Sequence, residues 1–462
     1  MEVNAKSTLP VAVIGAGAAG LAAAHGLARA GRPVRLLEAS SRVGGVIQSE
    51  VFPEGWQTES GPHTLLLKDS EVRDLIAHLG LTADIVTASP EAKHRYLVRD
   101  GKPVPAPASP PSLLGTPLFT AGTKLRLLTE FFTRPQTRPQ DVSLATLIGD
   151  HFGAEVVDYA LQPFVSGVCA GDASRLSAQH AFPRLWQDER NCGSLLRAQV
   201  RGARERRRRG EPRPQIVSFS RGLQTLIDAL RRSLPEGVLS LLTRVEAAAP
   251  DGAAWRVSGR REGQPFSETF SDLILALPAP ALETLAIGNP PERPFALLAG
   301  LEHPPVSVIS LGYRREDVRH PLDGFGLLMP PCEKRRILGV VFTSSLFPTR
   351  APAGHVGFTV MIGGSLQPQF GTLPPDQALA LVESELQPLL GVTGKPVFHR
   401  HHTHSKAIPQ YNLGFERFVN AITTAEQRFP GLHVAGQVRD GISVPAALLS
   451  GLRTARKCLA AP

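Results

Sequence analysis

Near the N-terminus, apolar and polar positions follow the order of a strand, a helix and a second strand. Residues 11–14 form a short unbroken apolar run, which is typical of a parallel strand buried on both faces. An apolar, alanine-rich segment from about residue 21 to residue 30 predicts a helix. Residues 34–37 predict the second strand, and Glu38 lies at its end. This order predicts an α/β fold with a parallel sheet.

The C-terminal part of the chain predicts another strand followed by a helix. Residues 432–436 have the pattern of a buried strand that ends in glycine, and residues 437–441 have the composition of a polar turn. Ser443 is suited to cap a helix that continues to about Leu459. Pro445 falls in the first turn of this helix, where proline is tolerated.

A glycine pattern between the first strand and its helix favours the binding of a dinucleotide. Gly15 permits a tight turn, Gly17 lets a pyrophosphate approach the backbone, and Gly20 lets the helix pack closely on the strand. The free N–H groups and the dipole of the helix N-terminus favour an anion there. Glu38 follows at the spacing of a carboxylate that binds ribose hydroxyls. This pattern leaves open whether the dinucleotide is NAD or FAD.

A family resemblance distinguishes these two cofactors. Residues 38–45 (Glu-Ala-Ser-Ser-Arg-Val-Gly-Gly) and 59–64 (Glu-Ser-Gly-Pro-His-Thr) resemble motifs of the amine-oxidase superfamily of flavoproteins, and the C-terminal strand and helix resemble the FAD motif of that superfamily. The resemblance implies FAD, held non-covalently because His433, the nearest candidate for attachment, precedes the end of its strand. It assigns FAD contacts to Gly15, Ala16, Gly17, Ala18, Ala19, Gly20, Glu38, Ala39, Arg42, Gly44, Gly45, Val46, Gly61, Pro62, His63, Thr64, Val245 (beside adenine), Gly436, Ile442, Ser443 and Val444.

Several segments from the middle of the chain onward carry a narrower resemblance: 163–172 with 175–177 and 181–182, 220–225, 324–330, 338–348 with 350–352, and 407–411. In this order they resemble motifs of the protoporphyrinogen oxidase family. The family's substrate is a large apolar tetrapyrrole with propionate groups, which suits an apolar slot with a cation at its rim. By this resemblance the substrate-binding residues are Arg95, Gly167, Leu328, Val341 and Met361. Without the resemblance, the apolar members of this set would indicate ordinary core packing.

The resemblance implies oxidation of protoporphyrinogen IX to protoporphyrin IX in haem biosynthesis. In that reaction the flavin takes hydride from activated methylene bridges and dioxygen reoxidises it to give peroxide, so we expect no catalytic side chain and no metal. Coproporphyrinogen III remains open as an alternative substrate. Another flavoenzyme of the superfamily, such as an amine oxidase or carotenoid desaturase, and a non-catalytic FAD-binding protein also remain open.

We expect three domains, two of them built from separated segments of the 462-residue chain. The first is a discontinuous Rossmann-like FAD-binding domain, which includes predicted strands at 241–246 and 272–278. The second is a substrate-binding domain with a mixed sheet, and the third is an inserted α-helical domain. Their expected bounds are 1–65, 215–285 and 405–462 for the first, 66–90 and 286–404 for the second, and 91–214 for the third.

Charge and composition restrict the partners and the location. The formal net charge of +9 suits an anionic membrane, an anionic substrate or nucleic acid. The arginine-rich segment 201–209 lacks interleaved aromatic residues, so we expect no nucleic acid. No segment reaches the roughly 18 apolar residues of a membrane span, and residues 1–10 show no signal-peptide core. The four cysteines form no CxxC pair, which favours reduced thiols and a cytoplasmic protein.

Three features are left open by the sequence. Residues 112–132 mix leucine and phenylalanine with Lys124 and Arg126, which fits an interfacial helix on the inner face of the cytoplasmic membrane or a helix packed in its own domain. The histidines of segment 399–404 favour a solvated strand face over a metal site, because no acid or thiolate accompanies them. The sequence is also compatible with a homodimer.

Overall fold

The computed structural model describes residues 9–135 and 138–460. Residues 1–8, where the sequence predicts no signal peptide, and residues 461–462, where the FAD-binding domain is expected to end, lie outside the described residues. The strands in chain order are β1 Val11–Ile14, β2 Val34–Leu37, β3 Ser49–Val51, β4 Gln57–Glu59, β5 Leu65–Leu67, β6 Ile85–Thr87, β7 His94–Arg99, β8 Lys102–Pro105, β9 Gln215–Phe219, β10 Leu239–Ser240, β11 Thr243–Asp251, β12 Ala254–Arg261, β13 Gln264–Phe270, β14 Leu273–Leu275, β15 Ala286–Ile287, β16 Val306–Arg314, β17 Gly324–Leu328, β18 Gly339–Val341, β19 His355–Gly363, β20 Phe398–His404 and β21 Leu432–Val434.

The helices surround these strands and also form a separate helical region. In chain order the α-helices are α1 Ala18–Arg29, α2 Ser70–His78, α3 Pro110–Gly115, α4 Ala121–Thr129, α5 Leu144–Phe152, α6 Ala154–Val156, α7 Gln162–Cys169, α8 Ala178–Ala181, α9 Pro183–Cys192, α10 Leu195–Arg208, α11 Gln224–Arg232, α12 Ala279–Leu282, α13 Thr343–Leu346, α14 Pro375–Leu390, α15 Glu416–Arg428 and α16 Val444–Ala460. A π-helical turn at Val157–Leu161 joins α6 to α7.

A parallel sheet in the order β10-β2-β1-β14-β21 forms the centre of the nucleotide-binding part. Its central strands are buried on both faces, as the unbroken apolar run of β1 predicts. Helix α16 packs on α1 at very short range, since a Cβ atom on Gly451 would lie 2.0 Å from the carbonyl oxygen of Ala19. The first turn of α1 therefore lies against the middle of α16. Helix α1 begins at the carboxyl edge of this sheet, where ligands bind in open α/β sheets.

A mixed sheet of seven described strands, in the order β20-β16-β19-β18-β17-β7-β8, lies in the second part of the molecule. One face is covered by α14, whose residues Leu381 and Leu386 pack with Val360 and Leu327 of the sheet in one apolar core. The opposite face of the sheet is in contact with helix α7, where Gly167 lies against Leu328. This arrangement agrees with the α/β class and the mixed sheet that the sequence predicts.

The structure changes two of the expected domain bounds. Strands β7 and β8, residues 94–105, pair with the seven-stranded sheet, although the sequence-based bounds put residues 91–214 in the helical insertion. The helical region therefore begins near residue 110. Strand β9 of the expected FAD segment pairs with β5 and β6, so this small sheet crosses two predicted domains. Strands that pair can be far apart in the sequence, so a local sequence pattern does not predict their pairing.

The helical region, α3 to α10, has its own core around Leu118, Leu147, Val165 and Trp186. Residues 112–132 were predicted to form an interfacial helix or a helix packed within its own domain. They form most of α3, the whole of α4 and a 3-10 turn at Glu130–Phe132. In the parts of the chain that the structure describes, no helix combines the length and the apolar character that crossing a bilayer requires.

Candidate functional site

The turn after β1 is shaped so that only glycine fits at two of its positions. Gly15 has a φ angle of +98°, and a Cβ atom there would lie 2.6 Å from the carbonyl oxygen of Ala276. A Cβ atom on Gly20 would lie 1.8 Å from the carbonyl oxygen of Gly15. These contacts bring α1 directly against the end of its strand, as the glycine spacing predicts.

The N-terminus of α1 is left open at Gly17, the N-cap residue. No side chain caps this helix, and its first turn contains no acidic residue. A Cβ atom on Gly17 would meet nothing within 4 Å, so there is a free space above this backbone. Uncapped N–H groups and the positive end of the helix dipole suit a pyrophosphate in this space.

Glu38, at the end of β2, lies beside the same turn. Its Oε2 atom accepts a hydrogen bond from the backbone N–H of Ala16 at 2.7 Å, and its Oε1 atom accepts bonds from the N–H and hydroxyl of Ser40, each at 2.8 Å. These three donors fix the orientation of the carboxylate. The backbone N–H of Thr243 donates to the carbonyl of Glu38 at 2.8 Å, which places the half-buried Val245 on the neighbouring strand β11. The predicted ribose and adenine contacts are thus close together.

Arg42 shapes the groove through its own loop. Its guanidinium donates to the carbonyl oxygens of Val43 and Ile47, both at 3.2 Å, and of Gly45 at 2.5 Å. The backbone N–H of Gly44 then donates to the carbonyl of Ala16 at 2.8 Å. Multiple bonds from one planar guanidinium fix a tight turn. The side chain that the sequence places in the lining of the groove therefore acts, in this structure, by holding the loop in place.

The Gly-Pro segment, residues 61–64, runs along the other side of this loop. A Cβ atom on Gly61 would lie 2.3 Å from the carbonyl oxygen of Val46, so the two backbones are in direct contact. Burial, together with the positive charge of Arg350, lowers the pKa of His63 to about 3. Its Nε2 atom is buried and finds no hydrogen-bond partner among the described residues. A neutral imidazole nitrogen without a partner fits a groove whose polar ligand completes its hydrogen bonds.

The turn before α16 is held by a network of side chains. The backbone N–H of Gly436 donates to the hydroxyl of Ser450 at 2.7 Å. The Tyr411 hydroxyl donates to the carbonyl of Gln437 at 2.6 Å and accepts from the N–H of Gly441 at 2.9 Å. These contacts fix the C-terminal turn relative to the segment 407–411, which the sequence singles out without giving it this role.

The start of α16 follows the sequence prediction closely. The Ser443 hydroxyl accepts a hydrogen bond from the backbone N–H of Ala446 at 3.2 Å, as an N-cap does. The helix begins at Val444 and contains Pro445 in its first turn. Ile442 packs against both the core of the nucleotide-binding part and the core of the helical region. The C-terminal motif therefore lies where these two parts meet.

The predicted substrate residues of the sheet share one face. Strand pairing places Arg95, Gly326 and Val341 in one row, and Leu97, Leu328, Gly339 and Met361 in the next row. Alternate residues of a strand point to the same side, and the intervening residues, such as Leu327 and Val340, belong to the core under α14. Arg95, Leu328, Val341 and Met361 therefore lie on the face of the sheet that is opposite α14.

Gly167 of helix α7 lies against this face. A Cβ atom on Gly167 would approach the Cδ2 atom of Leu328 to 2.4 Å. Arg95 is exposed, and its guanidinium carbon lies 5.6 Å from the centre of the Phe325 ring. The structure thus brings together an apolar sheet face, a helix without a side chain at the contact and a cation at the edge.

Comparison with known proteins is decisive for the family. A family model described as flavin-containing amine oxidoreductase matches residues 18–459. The chain belongs to this family. The protein is therefore an FAD-dependent oxidoreductase, and the open space at Gly17 and the unpartnered nitrogen of His63 are consistent with an FAD groove.

Three individual proteins illustrate how far the similarity extends. The mitochondrial protoporphyrinogen oxidase of Nicotiana tabacum is 34% identical over 483 residues, which cover 98% of this chain and 95% of that protein. The coproporphyrinogen III oxidase of Staphylococcus aureus is 24% identical, with coverage of 98% and 99%. Among solved structures, a candidate protoporphyrinogen oxidase from Exiguobacterium sp. has a TM-score of 0.82 at 21% identity, and 98% of both chains are covered. The last comparison supports the fold alone.

A buried ion pair supports the Gly-Pro segment of this flavoenzyme. The Arg350 guanidinium lies 3.1 Å from the Glu59 carboxylate, and both side chains are almost fully buried. Glu59 also accepts hydrogen bonds from the Ser49 hydroxyl at 2.6 Å and the Leu223 N–H at 3.1 Å, while Arg350 donates to the Ser218 hydroxyl at 2.5 Å. Burial raises the pKa of Glu59 to about 7, although Arg350 acts in the opposite direction.

Sequence reasoning missed this ion pair because 291 positions separate its two members. Both residues lie inside segments that carry the family resemblance, yet neither local pattern indicates a partner. The pair connects the start of the Gly-Pro segment to the loop after α13. It therefore holds the Gly-Pro segment against the part that carries the seven-stranded sheet.

The histidine-rich segment forms strand β20 at the edge of the seven-stranded sheet. The Nε2 atom of His404 donates to the carbonyl of Ser60 at 2.7 Å, and His401 is bonded to the Ser307 hydroxyl at 2.8 Å. His402 lies 3.6 Å from Glu50. The described residues contain no group of three side chains that could hold a metal ion. The sequence predicted a solvated strand face for these histidines. His404 has an additional role, because it donates a hydrogen bond to the backbone of the Gly-Pro segment.

Proposed function

We propose that this FAD-dependent oxidoreductase oxidises protoporphyrinogen IX to protoporphyrin IX. The observation that carries the proposal is the apolar sheet face with Leu328, Val341 and Met361, which lies opposite Gly167 and has Arg95 at its edge. A flat tetrapyrrole with propionate groups needs an apolar slot of this kind and a cation for the carboxylates. The full-length similarity to the tobacco protoporphyrinogen oxidase supports the same choice.

The side chains of the chain bind and orient rather than react. We propose that the α1 N-terminus holds the pyrophosphate of FAD, that Glu38 binds a ribose, and that the Gly-Pro segment and the α16 N-terminus flank the flavin. When bound, FAD supplies the redox chemistry by taking a hydride from the substrate, with dioxygen as the proposed electron acceptor. Gly167 and Leu328, which contact each other, form part of the apolar wall against which we propose that the flat ring packs. Each hydride that leaves the porphyrinogen is accompanied by the loss of one proton from the macrocycle; we assign this proton to solvent, and no side chain is proposed as its acceptor.

Anaerobic bleaching of the flavin tests this proposal. The FAD-loaded protein is mixed with protoporphyrinogen IX or coproporphyrinogen III, the flavin absorbance is followed, and oxygen is then admitted while porphyrin fluorescence is recorded. We expect faster bleaching by protoporphyrinogen IX, followed by porphyrin and peroxide. Faster bleaching by coproporphyrinogen III would transfer the proposal to that substrate, to which the similarity with the Staphylococcus aureus enzyme points. Absence of bleaching by both, with flavin bound, would refute it.

Arg95→Ala is expected to raise KM for the porphyrinogen by roughly tenfold, since a charge-assisted hydrogen bond to a propionate is lost. The FAD content and kcat should change little, because Arg95 is exposed and lies on the seven-stranded sheet rather than in the nucleotide-binding part. Steady-state kinetics with the Arg314→Ala variant as a control measures both parameters, since Arg314 is an exposed arginine at the end of β16. An unchanged KM in the Arg95 variant would remove this residue from the site.

Gly167→Ala is expected to lower kcat/KM several-fold, because the new methyl group would displace the side chain of Leu328, 2.4 Å from the Cβ position. The double variant Gly167→Ala with Leu328→Ala should recover much of the activity, since the smaller side chain makes room. Kinetics of the two single variants and the double variant measure the coupling. If the losses of kcat/KM in the two single variants simply add in the double variant, the contact between Gly167 and Leu328 does not shape the substrate site.

We also propose that the helical region contacts an anionic membrane surface. Phe132 is 78% exposed, and Leu125 and Leu114 are about 60% exposed on neighbouring turns. Exposed apolar side chains next to basic residues are typical of an interfacial surface. Sedimentation with vesicles that contain phosphatidylglycerol should retain the wild-type protein, and Phe132→Ser with Leu125→Ser should release it. Equal binding by the variant, or no wild-type binding, would contradict this proposal.

A further inference from the structure

A surface cavity of about 390 Å³ lies where three helices end, away from the proposed FAD groove. Its wall is formed by the last turns of α1, α2 and α11, and its chemistry-bearing residues are His25, Arg29, His78, Arg232 and Ser233. His25 is eight residues beyond Gly17 on the same helix, which corresponds to roughly 12 Å along the helix axis. The cavity is therefore separate from the N-terminus of α1, where the pyrophosphate is proposed to bind.

The cavity concentrates positive charge without any acidic partner. The residues that line it include two arginines but no aspartate or glutamate. Neither Arg29 nor Arg232 forms a hydrogen bond or an ion pair within residues 9–135 and 138–460. Both guanidinium groups therefore retain their donors for a ligand, and their charge favours an anion.

His25 adds a feature that an ordinary cationic patch does not have. Its side chain is 4% exposed, and its Nδ1 atom lies 2.7 Å from the hydroxyl oxygen of Ser233. The Ser233 hydroxyl donates its hydrogen to the carbonyl of Leu230 at 2.7 Å, so it accepts at the histidine contact. Nδ1 therefore carries the proton of the neutral ring, and Nε2 is a hydrogen-bond acceptor. Nε2 is buried and has no partner among the described residues.

The ring is held in its neutral form by its surroundings. Burial first, and then the neighbouring charges of His78 and Arg29, lower the pKa of His25. His25, with its unpartnered acceptor nitrogen, and the guanidinium groups of Arg29 and Arg232 all belong to residues that line this cavity. A ligand that satisfies both kinds of group carries negative oxygens together with a hydrogen-bond donor.

We propose that this cavity binds a tetrahedral oxyanion that keeps a hydroxyl group, of which inorganic phosphate is the simplest. The phosphate hydroxyl donates to Nε2 of His25, and the remaining oxygens accept from Arg29 and Arg232. Sulfate has the same shape and charge, but at neutral pH it has no hydrogen to donate. The unpartnered acceptor therefore makes the site selective for phosphate over sulfate.

A simpler explanation accounts for part of these observations. Basic residues in the last turn of a helix interact favourably with its free carbonyl groups, and Arg29, His78 and Arg232 all occupy such positions. That explanation does not supply a partner for the buried nitrogen of His25. It also predicts no difference between phosphate and sulfate, so the two views can be separated by experiment.

Calorimetric titration of the FAD-loaded protein tests the proposal, because bound FAD occupies the pyrophosphate site. Phosphate and sulfate are titrated separately at pH 7.5 and constant ionic strength, and no turnover is needed. We expect phosphate to bind at least roughly tenfold more tightly than sulfate. Arg29→Gln with Arg232→Gln should weaken phosphate binding by roughly tenfold or more, whereas Arg231→Gln, on the same helix but outside the cavity, should not.

His25→Leu provides the decisive variant. It removes the acceptor, so phosphate should lose its advantage and bind no better than sulfate. The arginine variants concern exposed side chains at the rim, so they remain informative if His25→Leu does not fold. Equal affinities for the two anions in the wild-type protein, binding that is unaffected by the double arginine substitution, or no heat with phosphate at millimolar concentration would each overturn the proposal.

Discussion

Replacing Gly17 with alanine is expected to lower the affinity for FAD by roughly a hundredfold while the apoprotein stays folded. The backbone of Gly17 is extended, with φ of −73° and ψ of −176°, which alanine adopts without strain. The new methyl group meets no protein atom within 4 Å. It would, however, occupy the space above the α1 N-terminus, where we propose that the pyrophosphate approaches the backbone. Flavin fluorescence during titration of the apoprotein measures the affinity, and thermal unfolding measures the fold.

Two matched variants show what this result would mean. Gly20→Ala places its methyl group 1.8 Å from the carbonyl of Gly15, so it should destabilise the apoprotein itself. Gly122→Ala, at an exposed position of α4 where the methyl group meets nothing within 4 Å, should leave the affinity unchanged and should not lower the melting temperature, because alanine favours a helix over glycine. If Gly17→Ala binds FAD as tightly as the wild-type protein, the pyrophosphate does not lie over this residue.

Arg350→Met is expected to destabilise the folded protein by roughly 3 kcal/mol at pH 8, because it leaves a buried carboxyl group without its partner. At pH 6 the loss should be smaller, about 1 kcal/mol, since a protonated Glu59 needs no counter-charge. The sign follows from linkage. Burial raises the pKa of Glu59 from 4.5 to about 7 in the folded state, so its stabilising contribution is complete below 4.5 and is lost as the pH rises through 7. Arg350 lowers the pKa of Glu59. In its absence, raising the pH therefore reduces the stability of the folded protein by a larger amount.

Thermal or urea unfolding at the two pH values measures this difference. Arg314→Met removes an exposed arginine, 63% accessible at its side chain, and serves as the control that should cost little at either pH. Glu59→Gln should remove most of the change with pH, because the titrating group is gone. If Arg350→Met loses the same stability at pH 6 and pH 8, the loss does not come from leaving the charged Glu59 carboxylate without a partner.

The glycine pattern and the apolar runs were sufficient to predict the nucleotide-binding unit. The interactions that they encode are local: Gly15 and Gly20 meet within a few residues of chain, and Ser443 caps the helix that starts directly after it. The bounds of the predicted domains were less accurate. Residues 94–105 were expected in the helical insertion but pair with the seven-stranded sheet, because pairing with β17 depends on a strand more than 200 positions away.

The α/β class, the glycine and carboxylate motifs of a dinucleotide site, the family resemblance and the apolar residues of a possible slot could all be predicted from the amino-acid sequence. That Arg95, Leu328, Val341 and Met361 share one face of a sheet, and that Gly167 contacts this face, became clear from the three-dimensional structure. The Glu59–Arg350 pair and the cavity at His25 were likewise decided by the fold. The physical reason is that burial and long-range pairing set these environments. The residues next to a side chain in the sequence do not show which distant parts of the chain bury it.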